Sequence, residues 1–287
     1  TVMIDDDGTP WMSWGNGTCF LVKLKKNMVE LDGEIMVLPM ENYVEGPWLY
    51  KRDGHYYNVY ASMGFPLETI SYAMADNIEG PWTFMGELTG MAKDSFTIHP
   101  GVIDFKGKTY LFYHNSTLSL DGYGPATGRR SVCVDEMFYN PDGTIPFIPF
   151  TDEGPAPVGT LDPYGRVEAE TIAHAWGLKT DRLAGKDHYV RLIHNGDWIK
   201  VREVEFGTEG PKSVTIETLN FRNPGTVEFY LDALADSPFA TIKVDGTQKV
   251  QTVEVKSRKP VTGKHDVYIL FRGGDEQLFD FDWWKMN

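Results

Sequence analysis

Short apolar runs alternate with tight polar turns along most of the chain. Near the N-terminus three units echo one another: residues 2–14 (VMIDDDGTPWMSW), 48–60 (WLYKRDGHYYNVY) and 102–113 (VIDFKGKTYLFY). Each reads as an apolar strand, a turn ending in glycine and an aromatic strand. Glycine accepts the positive φ that tight hairpin turns demand, so each unit predicts a β-hairpin. The turn glycines Gly8, Gly54 and Gly107 are spaced by 46 and 53 residues. That period suits four-stranded propeller blades. Asn140-Pro141-Asp142-Gly143 is a fourth hairpin signal.

Residues 151–166 (TDEGPAPVGTLDPYGR) read as a linker, because Pro155, Pro157 and Pro163 lack the backbone donors that regular pairing needs. The pattern then changes. Short alternating strands are predicted over 199–206, 213–219, 226–231, 240–244, 250–255 and 266–271, the spacing of an all-β sandwich. No stretch keeps a helical period over a useful length.

Composition narrows the function classes. The 287 residues are 41% hydrophobic and 24% charged, which excludes a wholly disordered chain. No apolar run approaches the roughly 20 residues of a membrane helix, so no membrane association is expected. The formal net charge of −14 argues against nucleic acid as a partner. Cys19 and Cys133 are too few for a disulfide framework or a zinc site and read as free thiols, with one disulfide as the alternative. The chain opens at Thr1 without an initiator Met, which reads as processed, truncated or cut from a longer chain.

Several residues could carry chemistry. Glu45 precedes Gly46-Pro47-Trp48 just before a hairpin, where a strand mouth could form a pocket. Burial by Trp48 would raise the Glu45 pKa and keep it protonated as a general acid. The plain alternative is a solvated turn glutamate, and Glu79 in the repeated Glu-Gly-Pro-Trp is an internal control. His99 and the Arg129-Arg130 pair also stand one strand away from hairpins, where structural roles compete with functional ones. Asp5, Asp6 and Asp7 read as a solvated turn.

The runs VMIDDDGTPWMSWGN, VKLKKNMVELDGEI, EGPWLYKRDGHYY, ISYAMADNIEGPWTF, HPGVIDFKGKTYLFYHN and RRSVCVDEMFYNPDGTI occur in this order. In that order they resemble the later part of the catalytic domain of glycoside hydrolase family 43, and of its arabinoxylan arabinofuranohydrolase and arabinofuranosidase/xylosidase members. The resemblance implies an all-β fold: a partial five-bladed β-propeller over 1–150 with its first blade absent, the 151–166 linker, and a β-sandwich (jelly-roll) over 167–287. It implies inverting hydrolysis of α-L-arabinofuranosyl or β-D-xylosyl linkages in plant arabinoxylan by three carboxylates. Acid and base then stand roughly 6.5–9.5 Å apart to admit a water. Carried over by position, Glu45 is the acid and Glu79 is not. Trp48, His99 and Arg130 are substrate-binding, with Arg129 as the alternative to Arg130. A second metal near His99 at the propeller centre is an open option. The general base and the pKa-tuning aspartate have no motif counterpart in this chain. A second chain or self-association could complete the propeller, or the chain could be a catalytically crippled sugar-binding fragment. The localisation implied is secreted, extracellular and bacterial.

The runs Val167-Glu168-Ala169-Glu170, 193–200 (IHNGDWIK), 204–207 (VEFG) and 279–283 (FDFDW) resemble carbohydrate-binding module family 6. That resemblance implies a structural Ca2+ held by Glu168, Glu170 and Asp282, with surface acids as the alternative. Hard carboxylate oxygens suit such an ion. The family's main sugar cleft departs here: Leu192 stands where an aromatic is usual, Thr247 and Val250 where Trp is usual, and Asp280 where an Asn is usual, and Tyr189 is out of register. The domain could use its other face or mainly stabilise the propeller. Trp198, Trp283 and Trp284 are expected to pack in the core or between strands.

Overall fold

The computed structural model describes residues 1–116, 130–182, 188–235, 237–246 and 250–287. Thr247 and Arg129 lie outside the described residues. Among the described residues every regular element is a strand, so no helix is long and apolar enough to cross a membrane. The described residues up to Pro155 form one compact unit, and Ala156–Asn287 form another.

The first unit holds eleven strands: β1 (Val2–Ile4), β2 (Pro10–Trp14), β3 (Cys19–Lys23), β4 (Met36–Leu38), β5 (Tyr43–Arg52), β6 (His55–Met63), β7 (Glu68–Ala75), β8 (Thr83–Glu87), β9 (Gly101–Phe105), β10 (Lys108–Asn115) and β11 (Ser131–Met137). They pair in chain order as three antiparallel sheets, β1–β4, β5–β8 and β9–β11. These are blades of a propeller, and they do not close into a ring among the described residues. The three predicted hairpins form. Asp53 and Gly54 have φ of +48° and +85°, and Lys106 and Gly107 have +50° and +78°. Both central residues are therefore left-handed, the turn whose twist matches paired strands.

Strand alternation builds the packing between blades. Along β6, Tyr56 and Tyr60 face the first sheet and join Trp11, Leu21 and Leu38 in one cluster. Tyr57 and Val59 face the other way and join Val102, Leu111 and Met137. A period of two thus buries both faces of the middle sheet. Asp5 is no free turn acid: it accepts from Lys51 Nζ at 2.9 Å and Tyr56 Oη at 2.7 Å, tying the first blade to the second. The Asn140–Gly143 signal forms a turn without a hairpin, because no strand follows it within this unit. Instead Gly143 lies against the middle blade and its carbonyl accepts from Tyr57 Oη at 2.8 Å. Both cysteines are free.

The second unit holds β12 (Val167–Glu168), β13 (His174–Trp176), β14 (Lys179–Arg182), β15 (His188–Arg191), β16 (Trp198–Glu205), β17 (Ser213–Leu219), β18 (Gly225–Leu231), β19 (Ala240–Val244), β20 (Val250–Lys256), β21 (Lys264–Gly273) and β22 (Asp280–Met286). One sheet runs β14-β15-β22-β17-β20, with β12 beside β22; the other runs β13-β16-β21-β18-β19. Their facing sides enclose one core that includes Val201, Ile216, Phe229, Phe271, Phe281 and Trp284. The six strands predicted here all form. The linker does not stay apart throughout: Leu161 bridges Val204, and Tyr164 Oη donates to the Phe206 carbonyl at 2.7 Å.

Phe229 is fully buried, with Phe239 and Trp284 rings 6.1 and 6.0 Å away. Phe229→Ala is expected to cost about 3–5 kcal/mol through lost transfer energy and a residual cavity. Urea unfolding of the whole chain, followed by Trp fluorescence, checks this; a shift below 1 kcal/mol refutes the packing.

Candidate functional site

Glu45 sits on β5 where the register with β6 shifts twice, once before and once after it. Such bulges turn a strand and re-aim its side chains. Gly46 supplies the conformation: its φ is +63°, and an added Cβ would stand 3.2 Å from the His99 ring. Glycine is needed both for the backbone and for the space.

Three sheets deliver partners to this point. From the first, Asn16 in the β2–β3 connection bridges to Glu45 and donates Nδ2 to its Oε2 at 2.9 Å. From the third, His99, just before β9, places Nε2 3.0 Å from Glu45 Oε1. The middle sheet adds Glu68, the first residue of β7, buried, with Oε2 accepting the Ile98 N–H at 3.1 Å. His114 on β10 contacts the Thr97 hydroxyl through Nε2 at 3.2 Å and lies 6.0 Å, ring to ring, from His99. The side chains of Glu45 and His99 keep 28% and 42% of their surface exposed, enough for a ligand to reach them.

The electrostatics differ from the sequence expectation. The Glu45 carboxyl is held below its ordinary value, first by the His99 hydrogen bond, against a burial penalty, then by Asn16 and the charge of Arg130. The Trp48 indole packs between the second and third sheets and donates Nε1 to the Val102 carbonyl at 3.0 Å. Glu68 is shifted the other way, upward, mainly by burial and also by the nearby Glu45 charge. Burial, then Arg130 and His99, push His114 down to about 4, so it is a neutral imidazole at pH 7. Arg130 is exposed at the entry to β11, and its charge acts on Glu45, Glu68 and His114. Glu79 lies exposed in the β7–β8 connection.

Asn16, Glu68 and His114 were not found from the sequence. Asn16 stands in a turn with no chemical signature. Glu68 and His114 are ordinary strand residues until the blades pack.

In the second unit Glu168 and Asp282 are brought together by β12 and β22. Arg166 binds Glu168 through Nε at 2.7 Å and Nη2 at 2.8 Å, and reaches Asp282 at 3.6 Å. Asp282 is raised to about 6, first by burial and then by a hydrogen bond shared with the Glu217 carboxyl. Two carboxyls in contact favour a shared proton or a cation. Glu170 Oε2 is buried without a hydrogen-bond partner. Glu217 is the member of this acidic set that the sequence did not reveal. Among the described residues, however, no group of three metal-ligating side chains is gathered, and Arg166 supplies the positive charge.

Two further observations bear on this unit. Asp280 is buried and accepts from Asn220 Nδ2 at 2.8 Å and Arg222 Nη1 at 3.1 Å, so it is committed to a structural network. Trp284 is core and Trp198 packs between strands, as expected. Trp198 stands partly exposed on the outer face of the β13–β19 sheet, 5.2 Å from His174 and 5.7 Å from Tyr268, and in register with the 49% exposed Trp176.

The family model described as glycosyl hydrolases family 43 matches residues 1–145, half of the chain. The chain belongs to glycosyl hydrolase family 43. The model described as carbohydrate binding module (family 6) matches 168–287, so this family 43 chain also carries that module. It is 29% identical over its whole length to an arabinoxylan arabinofuranohydrolase of Paenibacillus polymyxa and covers 50% of it. It is also 29% identical to one of Bacillus subtilis (strain 168), covering 62%. A crystal structure of a family 43 arabinoxylan arabinofuranohydrolase from Bacillus subtilis, in complex with cellotetraose, matches all of this chain. The TM-score is 0.79 and the identity 27%, over 66% of that chain. The family 43 chain thus spans between half and two thirds of these relatives.

A carboxyl with a lowered pKa stabilises the folded state above its ordinary value, and loses that contribution as pH falls through the lowered one. His99→Ala removes the first cause, so the Glu45 midpoint is expected to rise in a carboxyl 13C NMR titration. An unmoved midpoint refutes His99 as the cause.

Proposed function

We propose that the family 43 unit hydrolyses α-L-arabinofuranosyl and/or β-D-xylosyl linkages of arabinoxylan with inversion, and that Glu45 is the general acid. One observation carries this reading: three sheets converge on a single half-open carboxylate, re-aimed by two bulges and held by Asn16 and His99. His99 and Arg130 shape the pocket around it; Trp48 supports the pocket wall from the blade interface. An acid must be protonated to give up its proton. The lowered Glu45 pKa therefore calls for a nearby anion to raise it, the part that the family resemblance gives to an aspartate. That aspartate and the base have no motif counterpart in this chain, and a partner chain is proposed to supply them. The relatives' names favour arabinose side chains over xylose.

The family 6 module is proposed to hold the polysaccharide. Its buried Asp280 argues against the loop cleft. The row of Trp176, Trp198 and Tyr268 offers flat aromatic faces on which a sugar ring can stack. A Ca2+ ion is proposed among Glu168, Glu170, Asp282 and Glu217, where it would supply structural cross-linking and no catalysis. The protein is proposed to act outside a bacterial cell, where arabinoxylan is met.

Glu45→Gln is expected to lower turnover of arabinoxylan by about 10²–10⁴-fold, the usual worth of a general acid. Assays of the purified chain measure it; intact turnover in the variant refutes the assignment. Full inactivity of the 287-residue chain beside tight arabinoxylan binding would favour the sugar-binding fragment. Adding Ca2+ to chelator-treated protein is expected to raise the melting temperature through binding to the folded state. The gain should vanish in Glu170→Gln, and an unchanged melting temperature refutes the ion.

A further inference from the structure

We propose that Glu68 is a positioning residue for the acid: by accepting the Ile98 N–H it sets the backbone that presents His99 to Glu45. This rests on Glu45 being the acid. The chain of contacts is short. Glu68 Oε2 lies 3.1 Å from the Ile98 nitrogen, and the next residue, His99, lies 3.0 Å from Glu45 Oε1. Both glutamates stand on the middle sheet, so the sheet that carries the acid also holds its partner's backbone.

The segment needs such a hold. Residues 96–100 belong to no strand, and Pro100 has no N–H to give. Ile98 is fully buried, which fixes where the segment lies. The 97–98 peptide is held at both polar groups: its carbonyl accepts from Ser95 Oγ at 2.8 Å, and its N–H donates to Glu68, which ties it to the sheet that carries Glu45. The ring of His99 is then set against Gly46, where an added Cβ would already crowd it at 3.2 Å. A small rotation of the 97–98 peptide would carry Nε2 out of reach of Glu45. The carboxyl is buried and raised by that burial, yet its oxygen accepts the N–H whether it is charged or neutral.

Glu68→Ala and Glu68→Gln separate positioning from mere stability, because glutamine keeps an acceptor oxygen. In the purified protein, Glu68→Ala is expected to lower kcat on an aryl α-L-arabinofuranoside by about 10–100-fold, the scale of a misplaced catalytic group, with little change in KM. Glu68→Gln is expected to restore kcat to within about 3-fold. Long-range 1H–15N NMR of the His99 ring provides a readout that needs no turnover: the Nε2 signal should move in Glu68→Ala and return in Glu68→Gln. A lower melting temperature in Glu68→Ala with normal kcat and an unmoved His99 signal overturns the proposal. If wild type and Glu45→Gln hydrolyse equally, the acid reading has failed instead, and the His99 signal alone decides whether Glu68 sets that ring.

Discussion

The middle sheet, β5–β8, is buried on both faces, and the first unit depends on that double burial. Tyr56 and Tyr60 are committed to one neighbour, Tyr57 and Val59 to the other. Burial of apolar area at about 25 cal/mol per Å² makes each such aromatic face worth far more than any surface ion pair in the unit. Polar contacts then fix how the blades meet. Asp5 ties the first to the second, Tyr57 binds the Gly143 carbonyl, and Trp48 binds the Val102 carbonyl. A one-residue slip in β6 would exchange its two faces and undo both interfaces at once.

The site is a by-product of this stacking. A single blade holds Glu45 on a bulged strand, a position that would otherwise be wet. Only when the neighbours pack do Asn16 and His99 reach it from either side. The His99 hydrogen bond then outweighs burial and keeps the carboxyl low. The opposite shift of Glu68 on the same sheet shows which effect decides. Glu68 is more deeply buried and receives a single backbone donor, so desolvation wins there.

The second unit is built differently. Its core is one layer between two sheets, and its polar residues are sorted by that layer. Trp284 points inward and is fully buried; Trp198 points outward and joins an aromatic row. Glu168 and Glu217 stand on strands that flank β22 and its Asp282; Arg166 offsets the charge of Glu168 and Asp282, and the Glu217 carboxyl helps to raise Asp282.

By itself the sequence determined the local structure. Glycine in tight turns, aromatic strands and period-two alternation specified the three hairpins and six of the sandwich strands, because those signals act over a few residues. It missed the short strands β12–β15: β12 and β13 pair with the later strands β22 and β16, while β14 and β15 pair with each other over only four residues. It also placed a hairpin at Asn140–Gly143, where the turn chemistry is local but no partner strand is at hand. Motif order marked Glu45 and His99, but not that they touch. The tertiary structure alone decided that contact, the direction of the Glu45 shift, the turning of Trp48 into a blade interface, and the roles of Asn16, Glu68 and Glu217. Each depends on groups 29 to 65 residues apart in the chain. No local rule links such residues; only the packing of finished sheets brings them together.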